Sequence, residues 1–222
     1  MNGLLLVNKP IGMTSFDVIR SLRRRTGVRK MGHAGTLDPL ASGLMLVLFG
    51  TACKQAQMLT KLDKRYEAEI RLGAVSTTAD DEGEKTPVSD RVPSAAEVEA
   101  AVARLTGPLM QVPPAYSAIK VSGREAYKRV RAGEVVELPP RPVTVYENRL
   151  TAYDYPRVEL EAKVSSGTYI RSLAQDLGEL LGTGAYLSGL VRTEVGDYRL
   201  DEAVTLDEVD APAVAEQHLR DL

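Results

Sequence analysis

Only one cysteine, two histidines and no tryptophan occur among the 222 residues. The lone thiol, Cys53, has no internal disulfide partner, which fits a reducing compartment. Two imidazoles and one thiol are too few for a structural zinc site. Long apolar runs are also missing. The richest, Leu44 to Phe49, falls far short of the roughly 18 residues a membrane span needs. The N-terminal stretch Met1 to Pro10 lacks a basic region followed by a long apolar one, so it does not read as a signal peptide. What remains is ordinary: 44% hydrophobic, 26% charged, mean hydropathy −0.15. That composition excludes a disordered chain, a collagen-like repeat and a coiled coil. The expectation is a cytoplasmic, metal-free chain of one sizeable domain or two small ones sharing a core.

The net charge of −2 hides an asymmetry. From Asp201 onward there are seven acids and one base, which leaves 23 acids and 27 bases in residues 1–200, a net +4. Between Asp17 and Asp38 no acid interrupts Arg20, Arg23, Arg24, Arg25, Arg29 and Lys30. Residues 115–133 hold Lys120, Arg124, Lys128, Arg129 and Arg131 against Glu125, with Tyr116 and Tyr127 interleaved. Cations among aromatic rings suit phosphates with stacked bases, although a solvated helix face gives the same pattern.

Periodicity predicts a buried strand at 3–7 and a helix from Thr14–Ser15 to Arg25, stopped by Gly27. Met31 to Gly43 reads as a glycine-rich loop, Leu44–Phe49 as a strand, and Thr51–Leu62 as helical. Lys64–Leu72 alternates cleanly, with Tyr66, Ala68, Ile70 and Leu72 on one face. Residues 73–93 read as an acidic surface loop, and Ser94-Ala95-Ala96-Glu97 as a capping box. Strands at 142–153 and 157–164 follow, then a helix over 170–181 and a strand at 186–191. The fold class is therefore α+β, with a mixed, largely antiparallel central sheet flanked by helices. Residues 107–140 form a basic excursion, and 201–222 an acidic tail.

Two segments could carry chemistry. In Gly32-His33-Ala34-Gly35-Thr36-Leu37-Asp38-Pro39, glycines permit close backbone approach, and Pro39 biases Asp38 toward a fixed extended conformation. An Asx turn is the plainer reading of such an Asp-Pro pair. In Gly167-Thr168-Tyr169-Ile170-Arg171, a strand ends and a helix opens. An arginine there opposes the helix dipole, which points to an anion close by.

These segments resemble, together and in order, the bacterial TruB-type tRNA pseudouridine synthases. The loop around Asp38 is similar to that family's catalytic-aspartate motif, and Asn8-Lys9-Pro10-Ile11-Gly12-Met13 to its N-terminal signature. Lys64-Arg65-Tyr66-Glu67-Ala68 resembles the strand with its active-site tyrosine. Gln111-Val112-Pro113-Pro114-Ala115-Tyr116 resembles the start of its RNA-gripping insertion. The resemblance covers residues 3 to about 200 and implies a catalytic domain over 1–200 with an RNA-binding insertion at about 107–140. The C-terminal PUA-type domain usual in the family is not expected in this sequence.

The resemblance further implies isomerisation of uridine-55 in the tRNA T loop by base flipping, with no cofactor. Asp38 would be the essential carboxylate, and Arg171 would pair with it. Tyr66 would stack on the target base, Tyr169 and Leu190 would shape the pocket, and His33 would fill the space left by the extruded uridine. Lys9, Arg23, Arg24, Lys120, Lys128, Arg129 and Arg131 would meet the RNA. The expected partner is the tRNA T arm, without guide RNA or membrane, and the expected state is a monomer. An RNA chaperone without chemistry would not need the Asp38, Tyr66 and Arg171 set.

Overall fold

The computed structural model describes every residue except Ala118 and Ser122. The chain runs through β1 (Gly3–Lys9), α1 (Ser15–Thr26), β2 (Met31–Ala34), β3 (Ala41–Phe49), a 3-10 turn, α2 (Ala56–Thr60) and β4 (Lys64–Leu72). A hairpin of β5 (Ala74–Ser76) and β6 (Lys85–Pro87) comes next, then α3 (Ala95–Arg104) and β7 (Gly107–Gln111). A second hairpin, β8 (Lys120–Val121) and β9 (Arg124–Glu125), leads into α4 (Ala126–Arg131), β10 (Arg141–Asp154), β11 (Arg157–Val164) and α5 (Ile170–Leu181). The chain closes with β12 (Ala185–Val195), β13 (Tyr198–Arg199), β14 (Val204–Thr205) and α6 (Pro212–Gln217). Two compact units result: Met1–Glu67 with Leu190–Leu222, and Ala68–Gly189.

In the first unit the strand order is β14–β1–β3–β12, with β2 on β3 and β13 on β12. The pairing is mixed: β1 with β14 and β3 with β12 run parallel, β1 with β3 antiparallel. Strands β1 and β3 are apolar on both faces because both faces are covered. Leu5, Val7, Met45, Val47 and Phe49 pack against Val18, Ile19 and Leu22 of α1. Leu4, Leu6, Leu44, Leu46 and Leu48 pack on the other side against Ala52, Leu59 and Val195. The period of two makes this division automatic. Helix α1 starts where the sequence requires: Thr14 and Asp17 form a reciprocal capping box, worth about 1 kcal/mol. Gly27 ends it in the left-handed conformation at φ 72°.

One expectation in this unit is corrected. Residues 31–43 are not all loop, because Met31–Ala34 pairs antiparallel with Phe49–Leu46 and Ala41 already belongs to β3. Four residues without alternation give no strand signal; the pairing to β3 supplies one. The loop proper is 35–40. The acidic segment 201–222 is also packed against the first core. Val204, Leu206, Val209 and Ala215 are buried in the first core, and Arg25 donates to the carbonyls of Leu206 and Val209. The acids lie on the outside of this segment; its apolar residues hold it in place. Pro212 begins α6 at a position where its missing N–H is harmless.

In the second unit the order is β4–β11–β10–β7. Strand β4 follows the expected alternation residue by residue, and Ile70 and Leu72 are buried. Residues 107–111 belong to this sheet, since β7 pairs with β10 from Gln111↔Arg141 to Gly107↔Val145. The excursion therefore spans 112–140, shorter than expected at its start. Residues 73–93 are also more ordered than an acidic loop, because β5 and β6 pair and Asp80 bridges to Leu187.

Candidate active site and RNA-facing surface

Asp38 stands on the loop 35–40, half-buried, between β2 and β3. Both of its neighbours are held from the α1 entry. Ser15 Oγ accepts from the Leu37 N–H at 2.9 Å and donates to the Leu37 carbonyl at 3.1 Å. The Gly12 N–H donates to the Pro39 carbonyl at 2.8 Å. The start of the loop and the strand that follows it are both held from β12. The guanidinium of Arg192, 1% exposed, donates through Nε to Leu44 O at 2.7 Å and through Nη2 to Gly35 O at 3.1 Å. Glycine is required at these contacts. A Cβ on Gly43 (φ 100°) would lie 2.4 Å from the Arg192 carbonyl oxygen, and one on Gly35 (φ 88°) 3.4 Å from the guanidinium. Leu190 pairs with Ala41, which places it beside the end of the loop. A carboxylate held this way keeps its direction without reorganisation.

Buried cations surround this loop. Lys9 is fully buried and donates to Pro10 O at 2.9 Å and Met13 O at 2.6 Å. Burial lowers its pKa to about 8, and the nearby Asp38 charge only partly opposes that. Lys9 is therefore structural rather than an RNA contact, which corrects the expectation: an ammonium sealed under its own loop cannot reach a phosphate. Lys64 is likewise buried, donates to Thr60 O at 2.6 Å, and has its pKa lowered to about 8 by burial and then by Arg192. Tyr66, two residues on, is 8% exposed on the inward face of β4. His33 is half-buried on β2, and burial followed by Arg192 pushes its pKa down. The neutral imidazole is thus favoured at pH 7.

The arginines of α1 divide by exposure. Arg23 is half-buried and donates to Met31 O at 2.9 Å, whereas Arg24 is exposed. Arg25 serves the C-terminal segment, as described above.

In the second unit, Tyr169 precedes α5 as its N-cap. Gln111 grips its backbone twice, accepting from Tyr169 N at 2.7 Å and donating to Tyr169 O at 3.1 Å. Arg171 is 5% exposed. It donates to Tyr116 O at 2.8 Å and Thr78 O at 3.2 Å, and meets the Asp80 carboxylate at 3.4 Å. Asp80 is itself 3% exposed and accepts from Thr78 Oγ1 and from Glu82 N at 3.1 Å. Sequence reasoning missed Asp80. The anion that Arg171 called for was the available signal, and Asp80 lay within 73–93, read as an acidic surface loop. A cleft of about 680 Å³ next to these elements is lined by Val112, Tyr116, Glu137, Asp176 and Glu179 among others. Burial and then Glu179 raise the Asp176 pKa to about 6.

The excursion carries five bases and three acids over 112–140. Lys128 pairs with Glu125 at 3.0 Å, and Arg129 with Glu134 at 2.6 Å, to which Arg124 also comes within 3.5 Å. Arg131 and Lys128 flank the Tyr127 ring at 5.6 and 5.8 Å. Lys120 is exposed and opposite Glu125 in the hairpin. Glu134 lies one residue beyond the acid-poor window, so the arm is less positive than that window suggests. Among the described residues, no group of three or more His, Cys, Asp or Glu is placed to hold a metal, and no helix is long and apolar enough to cross a membrane.

With this geometry in view, the comparisons are consistent from end to end. Residues 23–170 match the N-terminal domain model of TruB family pseudouridylate synthases, and 171–222 match a C-terminal domain model of tRNA pseudouridylate synthase B. The chain belongs to the TruB family of pseudouridylate synthases. A tRNA pseudouridine synthase B of Thermobifida fusca is 49% identical over 220 residues, 95% of this chain and 75% of that protein. One of Burkholderia pseudomallei is 46% identical over 220 residues, 99% of this chain and 73% of that protein. Among solved structures, a Cbf5-Nop10-Gar1 complex contains a chain with TM-score 0.74 and 28% identity, covering 94% of this chain. The present chain spans about half of that one, 54%. The family models divide the chain at Arg171, ahead of the boundary near 200 read from the sequence.

Proposed function

We propose that the protein isomerises a uridine in the T loop of tRNA, uridine-55, to pseudouridine. The observation that carries this is Asp38, a half-buried carboxylate on a loop fixed at its start, at the strand that follows it and at both neighbours, in a chain of this family. In the reaction the bond from uracil N1 to ribose C1′ breaks, the base turns, and a C5–C1′ bond forms. The proton leaves C5 and N1 gains one, so atoms and electrons balance without a cofactor. Asp38 acts on C1′ or on the uracil ring, and Arg171 pairs with it, keeping it ionised and oriented. Tyr66 stacks on the base and serves proton transfer at C5. Tyr169 and Leu190 shape the pocket.

Extruding the base costs a few kcal/mol, and His33 fills the vacated space as an uncharged ring, which stacks without desolvating a charge. Phosphates are met by Arg24, Lys120, Lys128, Arg129 and Arg131, with Arg23 partly committed to Met31. The protein works on the T arm as a cytoplasmic monomer without guide RNA. The test is incubation with an unmodified tRNA transcript alone, followed by pseudouridine mapping. Modification confined to the T loop is expected. Turnover that requires an added guide RNA would sink the stand-alone reading.

A further inference from the structure

The segment that steadies Asp38 also exposes two large apolar side chains. Ile11 is 70% exposed and Phe16 55% exposed. Each is adjacent to a residue hydrogen-bonded beside Asp38: Gly12 to Pro39, and Ser15 to Leu37. Packing does not explain Phe16, since α1 buries Val18, Ile19 and Leu22 instead. Phe16, Arg20 and Arg24 recur every fourth residue and are all exposed, so they form one line on the helix about 12 Å long. The Arg20 guanidinium lies 5.2 Å from the Phe16 ring centroid, and Asp17 holds it at 3.1 Å. An apolar ring with an oriented planar cation is thus presented to solvent beside the candidate catalytic carboxylate. Nucleobases stack on such rings, and the following phosphate needs such a cation.

We infer that Phe16 and Arg20, flanked by Ile11, form a stacking platform for the RNA strand leading away from the nucleotide at Asp38. Arg24 meets a phosphate one helical turn further on. This rests on the RNA-modifying function proposed above. Looped RNA is the class that fits, because its splayed bases offer their faces, whereas a duplex hides them.

Binding of an unmodified T-arm stem-loop is measured across salt concentrations for the wild type, Phe16→Ala, Arg20→Ala and the exposed control Val88→Ala. Modification is scored in the same samples. Phe16→Ala weakens binding about five- to tenfold at every salt concentration, with the slope unchanged, because lost stacking releases no counterions. Arg20→Ala flattens the slope of log K against log salt by about 0.7–0.9. Val88→Ala binds as the wild type does. Wild-type affinity in Phe16→Ala overturns the platform. So does a wild-type dimer in sedimentation that Phe16→Ala dissociates, which would assign the ring to a protein contact. A wild type that binds the stem-loop but leaves its uridine unchanged counts against the proposed reaction alone.

Discussion

Arg192→Met removes the guanidinium that ties the start of the Asp38 loop, and β3 four residues beyond its end, to β12. Two well-formed bonds are lost, to Leu44 O at 2.7 Å and Gly35 O at 3.1 Å. Hydrogen bonds to a charged group are worth about 1.5–3 kcal/mol each, which sets a gross loss of about 3–6 kcal/mol. Against this, a buried cation disappears from beside Lys9 and Lys64, whose pKa values its charge helps to lower. The net loss of stability is therefore about 2–4 kcal/mol. Turnover falls further than stability suggests, because a displacement of about 1 Å in a catalytic group costs on the order of a hundredfold. Urea unfolding gives the first quantity, and single-turnover kinetics with a T-arm stem-loop gives the second. RNA affinity stays within about threefold, since Arg192 is buried and touches no solvent-facing surface. Arg192→Lys recovers part of the stability through one carbonyl, but little of the rate. A folded Arg192→Met variant with turnover within threefold of wild type would show that the loop needs no clamp.

Asp38→Asn keeps size and polarity but removes the charge, so isomerisation is abolished while tRNA binding stays within about tenfold, or ~1.4 kcal/mol; appreciable turnover would remove Asp38 from catalysis. Replacing Lys128, Arg129 and Arg131 with Ala flattens the salt dependence of tRNA binding by up to about 0.7–0.9 per phosphate contact, and an unchanged slope would mark a solvated face. Asp176 has its pKa raised to about 6 from 3.8, so its stabilising share is present below pH 4 and lost as pH rises through 6. Asp176→Asn therefore raises stability at pH 7 by up to about 3 kcal/mol and has no such effect at pH 3.5, as thermal melts at the two pH values would register. Lys9 and Lys64 titrate near pH 8 in the fold rather than at 10.5, so the unfolded chain binds more protons in between. Stability gains from these two groups between pH 8 and about 10.5, and a urea midpoint that falls steadily across that window would contradict the burial argument.

What could be read from the sequence was local. Strand β4 was legible to the residue because a period of two runs unbroken from Lys64 to Leu72. Helices α1 and α3 were legible because Thr14 and Ser94 each face an acid three residues on. Strand β2 was not, since four residues with glycine owe their conformation to β3. The C-terminal segment was read by its charge, although Val204, Leu206 and Val209 already spaced its buried side. The order of motifs is what singled out Asp38, Tyr66 and Arg171 as candidates. Asp80 escaped because its partner Arg171 lies 91 residues away. Lys9 was given the wrong role and Arg192 escaped because their partners are backbone carbonyls, which leave no trace in side-chain spelling.

The root of the basic arm divides the second unit into parts that can change separately. Gln111 faces Arg141 across β7 and β10, so the arm leaves and re-enters the sheet about 5 Å apart. The first residues of the arm belong to the framework, for Ser172 Oγ donates to Val112 O at 2.8 Å and Arg171 to Tyr116 O at 2.8 Å. From Ser117 to about Glu137 the arm behaves as a cassette with fixed sockets. A longer or differently charged replacement would change what the arm presents to solvent while Arg171 kept its seat. Arm and framework are thus separable inheritances here, and the length and charge of the one can drift without disturbing the sheet that carries it.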